Sequence, residues 1–193
     1  MTSILIIQGH PDAAGGHLCH ALAEVYAAGA TAAGHEARSI DVARLHFDLM
    51  HSAAEFQSGA VPPDIASAQD TLIHAEHVVL VYPLWLGTMP AVLKGFLEQV
   101  LRPGFAFDYT GGGGTRHHLK GRSARVVITM GMPALIYRFY FGAHSLKSLE
   151  RNILKFVGIR PVRETLFGGV ETASPERRAG WIARMRDLGR RAA

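Results

Sequence analysis

The chain of 193 residues predicts a doubly wound α/β fold: five parallel strands in the order 2-1-3-4-5, with helices on both faces. Two observations carry this. Short uninterrupted apolar runs, Ile4 to Ile7, Val78 to Tyr82 and Arg125 to Met130, have the length and composition of strands covered on both sides. Between them lie longer stretches whose apolar residues recur at helical spacing, the alternation that builds a parallel sheet.

In chain order, Ile4 to Ile7 is the first strand, followed by the loop Gln8 to His17 and a helix from Leu18 to about Ala33 that Gly34 ends. Leu18, Leu22, Val25 and Tyr26 form its apolar side. A strand, a glycine-bearing loop and a helix N-terminus suit a phosphate, because free amides and the helix dipole both favour an anion. The spacing matches neither the dinucleotide fingerprint nor a Walker loop, and Gly15 and Gly16 also suit an ordinary turn. Ala37 to Val42 reads as an edge strand. Arg44 to Pro63 has no clean period and reads as irregular surface, a candidate for partner contacts. Pro62-Pro63-Asp64 opens a helix ending near Ala75, with Ile65, Ala68, Leu72 and Ile73 turned inward.

Val78 to Tyr82 is the central strand. Pro83 stops it, and Leu84 to Met89 leads to Pro90, suited to the start of a helix. Val92, Leu93, Phe96, Leu97, Val100 and Leu101 make that helix's buried stripe, with Lys94 and Glu98 opposite. Its preceding loop lies at the carboxyl end of a central strand, where open α/β sheets bind ligands. Trp85 and Leu86 present apolar surface there, and the amides of Trp85 through Gly87 are donors for a flat heterocycle. The competing reading puts Trp85 in the core beneath the loop.

Beyond Phe107, the run Gly111 to Gly114 forms no stable element and reads as a flexible loop near the ligand end. Arg125 to Met130 is the fourth strand, and its end, Thr129 to Gly131, lies beside the loop at Trp85. An aromatic segment with Tyr137, Phe139, Tyr140 and Phe141 follows, then a helix from Leu146 to Val157, a strand from Val162 to Phe167 and a closing helix from Pro175 to Arg191.

Composition excludes several classes. Hydrophobic residues at 48% and charged residues at 19% are those of a globular protein, and length permits one domain over residues 1–193. No apolar run is long enough for a membrane span and no signal-peptide pattern opens the chain, so the expectation is a cytoplasmic protein without membrane insertion. A single cysteine, Cys19, precludes an intrachain disulfide and reads as a small packed residue. The net charge of +4 comes largely from arginines on the wet side of the last helix, where no interleaved aromatics suit nucleic acid. His17 and His20, one turn apart, read as solvent-facing.

Tyr82-Pro83-Leu84-Trp85, Met89-Pro90-Ala91-Val92-Leu93-Lys94-Gly95, Gly104-Phe105-Ala106-Phe107, Gly9-His10-Pro11-Asp12 and Gly142-Ala143-His144 together make the chain resemble the NAD(P)H:quinone oxidoreductase family of flavodoxin-like flavoproteins. The resemblance covers nearly the whole chain. It implies a homodimer with a flavin at each subunit interface, FAD or alternatively FMN, reduced by NADPH or NADH and reoxidised by a quinone-like acceptor in a ping-pong cycle. His10, His17, Leu18 and Cys19 would hold the flavin phosphates. Pro83, Leu84, Trp85 and Leu86, with Thr129, Met130 and Gly131, would surround the isoalloxazine ring. Tyr137 and His144 match the residues that face the substrate, where His144 would protonate a quinone oxygen or hydrogen-bond to it. His17 departs from the family by replacing a serine with two extra residues before it, Gly87 by replacing an aromatic wall, and Met130 and Met132 by replacing smaller loop residues. Two further readings are a flavin-bearing regulatory subunit of a membrane transport system and, from His-Pro-Asp, a zinc-dependent de-N-acetylase. No metal site is expected on the first reading.

Overall fold

The structure, a computed structural model, describes residues 1–110 and 112–193. Its main sheet contains five strands: β1 (Ser3–Gln8), β2 (Glu36–Asp41), β3 (His77–Pro83), β6 (Ser123–Met130) and β7 (Val162–Gly168), in the order β2-β1-β3-β6-β7. Every neighbouring pair is parallel. Leaving aside a hairpin of β4 (Phe107–Thr110) and β5 (Gly114–His117), this is the expected order 2-1-3-4-5.

Side chains on a strand alternate between faces, and here both faces are covered. Ile4, Ile6, Val79 and Val127 pack with helices α1 (Leu18–Ala32) and α6 (Pro175–Arg190), against Leu22, Tyr26 and Met185. Leu5, Ile7, Leu80 and Val126 pack on the other face with α3 (Pro63–His74), α4 (Ala91–Val100) and α5 (His144–Ser148), against Ile65, Leu93, Phe96 and Leu146. That is why these strands read as unbroken apolar runs.

Helices α1 and α6 meet backbone to backbone. A Cβ added at Gly29 would lie 2.2 Å from the Arg186 carbonyl oxygen, and one at Gly189 would lie 2.1 Å from that of Tyr26. No helix among the described residues is long and apolar enough to cross a membrane.

Four local expectations are corrected. The region 44–63 is not wholly irregular: after a short turn at Val42–Arg44 it contains α2 (Ala53–Ser58), started by the Ser52 hydroxyl, which accepts from the Glu55 amide at 3.1 Å. Ile73 is 40% exposed, because α3 turns that position outward one residue after the buried Leu72. Gly112 and Gly113 lie in the turn of the β4–β5 hairpin and Gly114 pairs with Thr110, while Gly111 lies outside the described residues. The helix expected from Leu146 begins at His144 and widens over Leu149–Leu154 to i→i+5 bonding, as from the Lys155 amide to the Glu150 carbonyl.

Candidate active site

The carboxyl ends of β1, β3 and β6 lie side by side, and backbone bonds lock their loops together. The Gly9 amide donates to the Val81 carbonyl at 2.8 Å, and the Leu84 amide to the Thr129 carbonyl at 2.8 Å. Pro83 is buried in register with Thr129. Beyond Leu84 the chain makes a two-residue turn: the Trp85 amide donates to Thr88 at 2.9 Å and the Thr88 amide returns to Trp85 at 3.0 Å. Leu86 and Gly87 both adopt positive φ, 45° and 77°. Glycine takes that conformation freely, whereas leucine takes it at a cost.

Trp85 is therefore not a core residue; it is 51% exposed, and Leu86 projects fully into solvent. The turn also corrects the expected donor set. Its own hydrogen bond consumes the Trp85 amide, leaving those of Leu86 and Gly87 without a partner among the described residues.

The first loop is built around imidazoles. His10 stacks on His17 with centroids 4.0 Å apart and planes 18° apart, while His20 lies 5.3 Å from the former and 5.7 Å from the latter. His17 Nε2 bonds to Asp12 Oδ2 at 2.8 Å, and the Asp12 amide donates to His10 Nδ1 at 3.2 Å. Burial, then the charges of His17 and His20, lower the His10 pKa, whereas the bond from His17 lowers that of Asp12. No side chain caps α1 and no acid occupies its first turn. The amides of Leu18 and Cys19, first in the helix, are thus free to meet an anion. His20 is not solvent-facing as its spacing suggests: both ring nitrogens are buried and unpartnered.

Three side chains expected at the flavin, Cys19 at its phosphate and Thr129 and Met130 around its ring, turn inward instead. The Cys19 thiol bonds to the Thr129 hydroxyl at 3.1 Å, and both are buried, as is Met130. They tie α1 to β6, so that only backbone and Gly131 remain toward solvent. Burial pushes the Cys19 thiol up to about 11, as befits a packed residue.

Tyr137 and His144 differ in access. Tyr137 is buried; its hydroxyl lies 2.7 Å from Ser145 Oγ and accepts from the Leu146 amide at 3.2 Å. His144 is exposed at the start of α5, after Gly142 and Ala143 at φ 63° and 49°. Its ring folds across Gly142, where an added Cβ would come within 2.8 Å of Nε2.

A cavity of about 480 Å³ opens beside the turn, with Trp85, Leu86, Met89 and Lys94 on one side and Ser145 and Leu149 on the other; His144 precedes Ser145 in the chain but does not line it. Tyr137 reaches it only through Ser145. His10 links the two halves of the site, since the Trp85 ring stands edge-on to it at 6.0 Å. Ser145 and His20 were not singled out from sequence as site residues. The one available signal for Ser145 is a small polar residue directly after the Gly142-Ala143-His144 motif.

A parallel sheet of this order, with its ligand face at the carboxyl ends of β1, β3 and β6, defines the flavodoxin-like class. A family model described as "flavodoxin-like fold" matches residues 2–188. An uncharacterised NAD(P)H oxidoreductase of Haemophilus influenzae is 32% identical over 146 residues, 74% of this chain and 72% of that protein. Mouse ribosyldihydronicotinamide dehydrogenase [quinone] is 30% identical over 145 residues, 69% of this chain but only 61% of that enzyme. The solved NAD(P)H:quinone oxidoreductase of Methanothermobacter marburgensis superposes with a TM-score of 0.81 at 25% identity, covering 98% of this chain and 96% of that one. The chain belongs to the NAD(P)H:quinone oxidoreductase family of flavodoxin-like proteins.

Proposed function

We propose that this protein is a flavin-dependent oxidoreductase that passes hydride from NAD(P)H to a quinone in two alternating half-reactions at one site. The observation that carries the reading is the bridge at His10, which places a phosphate-type helix start and an exposed aromatic turn in one continuous site. The donor set fits a flavin: the free amides of Leu18 and Cys19 with the imidazoles of His10 and His17 for its phosphate, and those of Leu86 and Gly87 for the polar edge of its ring. FAD is our proposed cofactor, with FMN the alternative, since both carry the phosphate this loop suits. When bound, the flavin supplies the hydride-accepting ring.

The chain's own groups orient and protonate. Trp85 and Leu86 form the apolar wall against which an acceptor is pressed. His144, exposed at the start of α5 next to Ser145, would donate a proton to a quinone oxygen. The Tyr137 hydroxyl, bonded to that of Ser145, would hold the serine toward the cavity.

The purified protein is expected to be yellow, to release FAD on heating and to bleach under NADPH or NADH without oxygen. A colourless protein that takes up no added flavin removes the proposal. In Tyr137→Phe combined with His144→Gln, reoxidation by a quinone should slow by about tenfold or more, with flavin affinity nearly unchanged. Stopped-flow reoxidation and a flavin titration separate the two effects, and unchanged reoxidation excludes both residues from proton delivery.

We also propose a homodimer. Leu86, Leu135 and Tyr140 leave large apolar surface in water, which a second copy of the chain would cover. Sedimentation at micromolar concentration should give twice the chain mass of 20.9 kDa.

A further inference from the structure

Behind α5, on the side away from the cavity at Trp85, lies a second groove of about 450 Å³. Its charges do not balance. Arg138 is paired with Glu164 and Lys155 with Glu150, so both acids on its walls are already neutralised. Lys147 and Arg151 also line it, and neither has a carboxylate partner among the described residues. They stand four residues apart on one helical face, where like charges repel and a helix gains nothing from them. Phe139, 76% exposed, contributes an aromatic face to the same groove. Two unneutralised cations beside an exposed aromatic ring form the surface that an adenosine phosphate recognises: stacking for the purine and charge-assisted hydrogen bonds for the phosphate.

The groove is also in the right place. Ala143 and Leu146, which flank His144 and Ser145, lie in its wall, while Ser145, Ser148 and Leu149 of the same helical stretch face the cavity at Trp85. The two cavities are thus separated by about one helix diameter, ~10 Å. A dinucleotide draped over the first turn of α5 reaches both.

We propose that this groove seats the adenosine 2′-phosphate half of NADPH, with Lys147 and Arg151 holding the 2′-phosphate and Phe139 stacking on the adenine. The inference rests on the oxidoreductase reading for its identification of the dinucleotide. Lys147 and Arg151 thereby make the protein select NADPH over NADH. Both coenzymes share every other contact, so removing these cations penalises one and spares the other.

The flavin-loaded protein should show a kcat/KM for NADPH about tenfold or more above that for NADH. In Lys147→Gln with Arg151→Gln, the NADPH value should fall by about tenfold or more, with NADH within about twofold of the parent. Phe139→Ala should weaken both coenzymes alike. Calorimetric titration with 2′,5′-ADP and with 5′-AMP gives a readout independent of turnover: the double variant should lose affinity only for the former. Equal use of NADH and NADPH by the parent protein, or a preference that survives in the double variant, overturns the proposal. If neither coenzyme reduces the flavin, the oxidoreductase reading fails instead. The titrations then still decide the groove: 2′,5′-ADP binding that depends on the two cations upholds the phosphate site, and its absence refutes it.

Discussion

His77 shows how much a single position contributes that its neighbours in sequence do not reveal. It opens the central strand, 3% exposed, with Nδ1 2.7 Å from the Ser123 hydroxyl and Nε2 unpartnered. Burial foremost, then the charges of Arg125 and Arg163, lowers its pKa to about 4 from 6.5. The unfolded chain therefore takes up a proton between those values that the folded chain refuses, so stability is lost as pH falls from about 6.5 toward 4. The full difference is on the order of 3 kcal/mol. Urea midpoints measured from pH 7 to 4 should drop more steeply in the parent than in His77→Gln, which has no imidazole to titrate. Parallel pH profiles would contradict this. Cys19 makes a second prediction at this scale: with its thiol buried and pushed up to about 11, alkylation at neutral pH should proceed only as fast as the protein opens. That Cys19 is packed was legible in the sequence; its hydroxyl partner and the surroundings of His77 were not. Both depend on groups brought from afar, Arg163 from a different strand and Thr129 from 110 residues away.

Helices and strands were more legible than the contacts between them. The apolar runs located β1, β3 and β6 to within a few residues, because a strand buried on both faces has few polar positions to obscure it. The α1–α6 junction left only a faint mark: glycines inside otherwise regular helices at positions 29 and 189. By propensity alone, Gly29→Ala or Gly189→Ala should stabilise its helix by about 1 kcal/mol. The neighbouring carbonyl at 2.2 or 2.1 Å from an added Cβ reverses the sign, and each variant should be destabilised by about 2 kcal/mol or more in urea unfolding. The turn at Leu86 runs the other way. Leucine at φ 45° stores strain of about 1 kcal/mol, so Leu86→Gly should raise the melting temperature while weakening kcat/KM for the acceptor. The β4–β5 hairpin escaped detection because its order comes from cross-strand pairing and from the Asp108–His118 bond at 2.7 Å, which outweigh the entropy of the glycines between the strands.

Across the whole molecule, the sheet order and the family were both readable from the chain, the first from alternation and the second from motifs after β1 and β3 and at Gly142-Ala143-His144. The candidate site was readable in part. His10, His17 and Trp85 converge as the motifs suggested, but the inward turn of Thr129 and Met130, and the shielding of Tyr137 by Ser145, follow from packing that no local pattern encodes. The two tryptophans occupy unlike surroundings. Trp181 is pressed against Phe167 beneath Arg177, whereas Trp85 meets the edge of His10. A protonated imidazole quenches a neighbouring indole, so the chain contains its own optical indicator. In a Trp181→Phe background, ultraviolet emission would report in real time whether the first loop is charged, empty or filled, without a dye or a label.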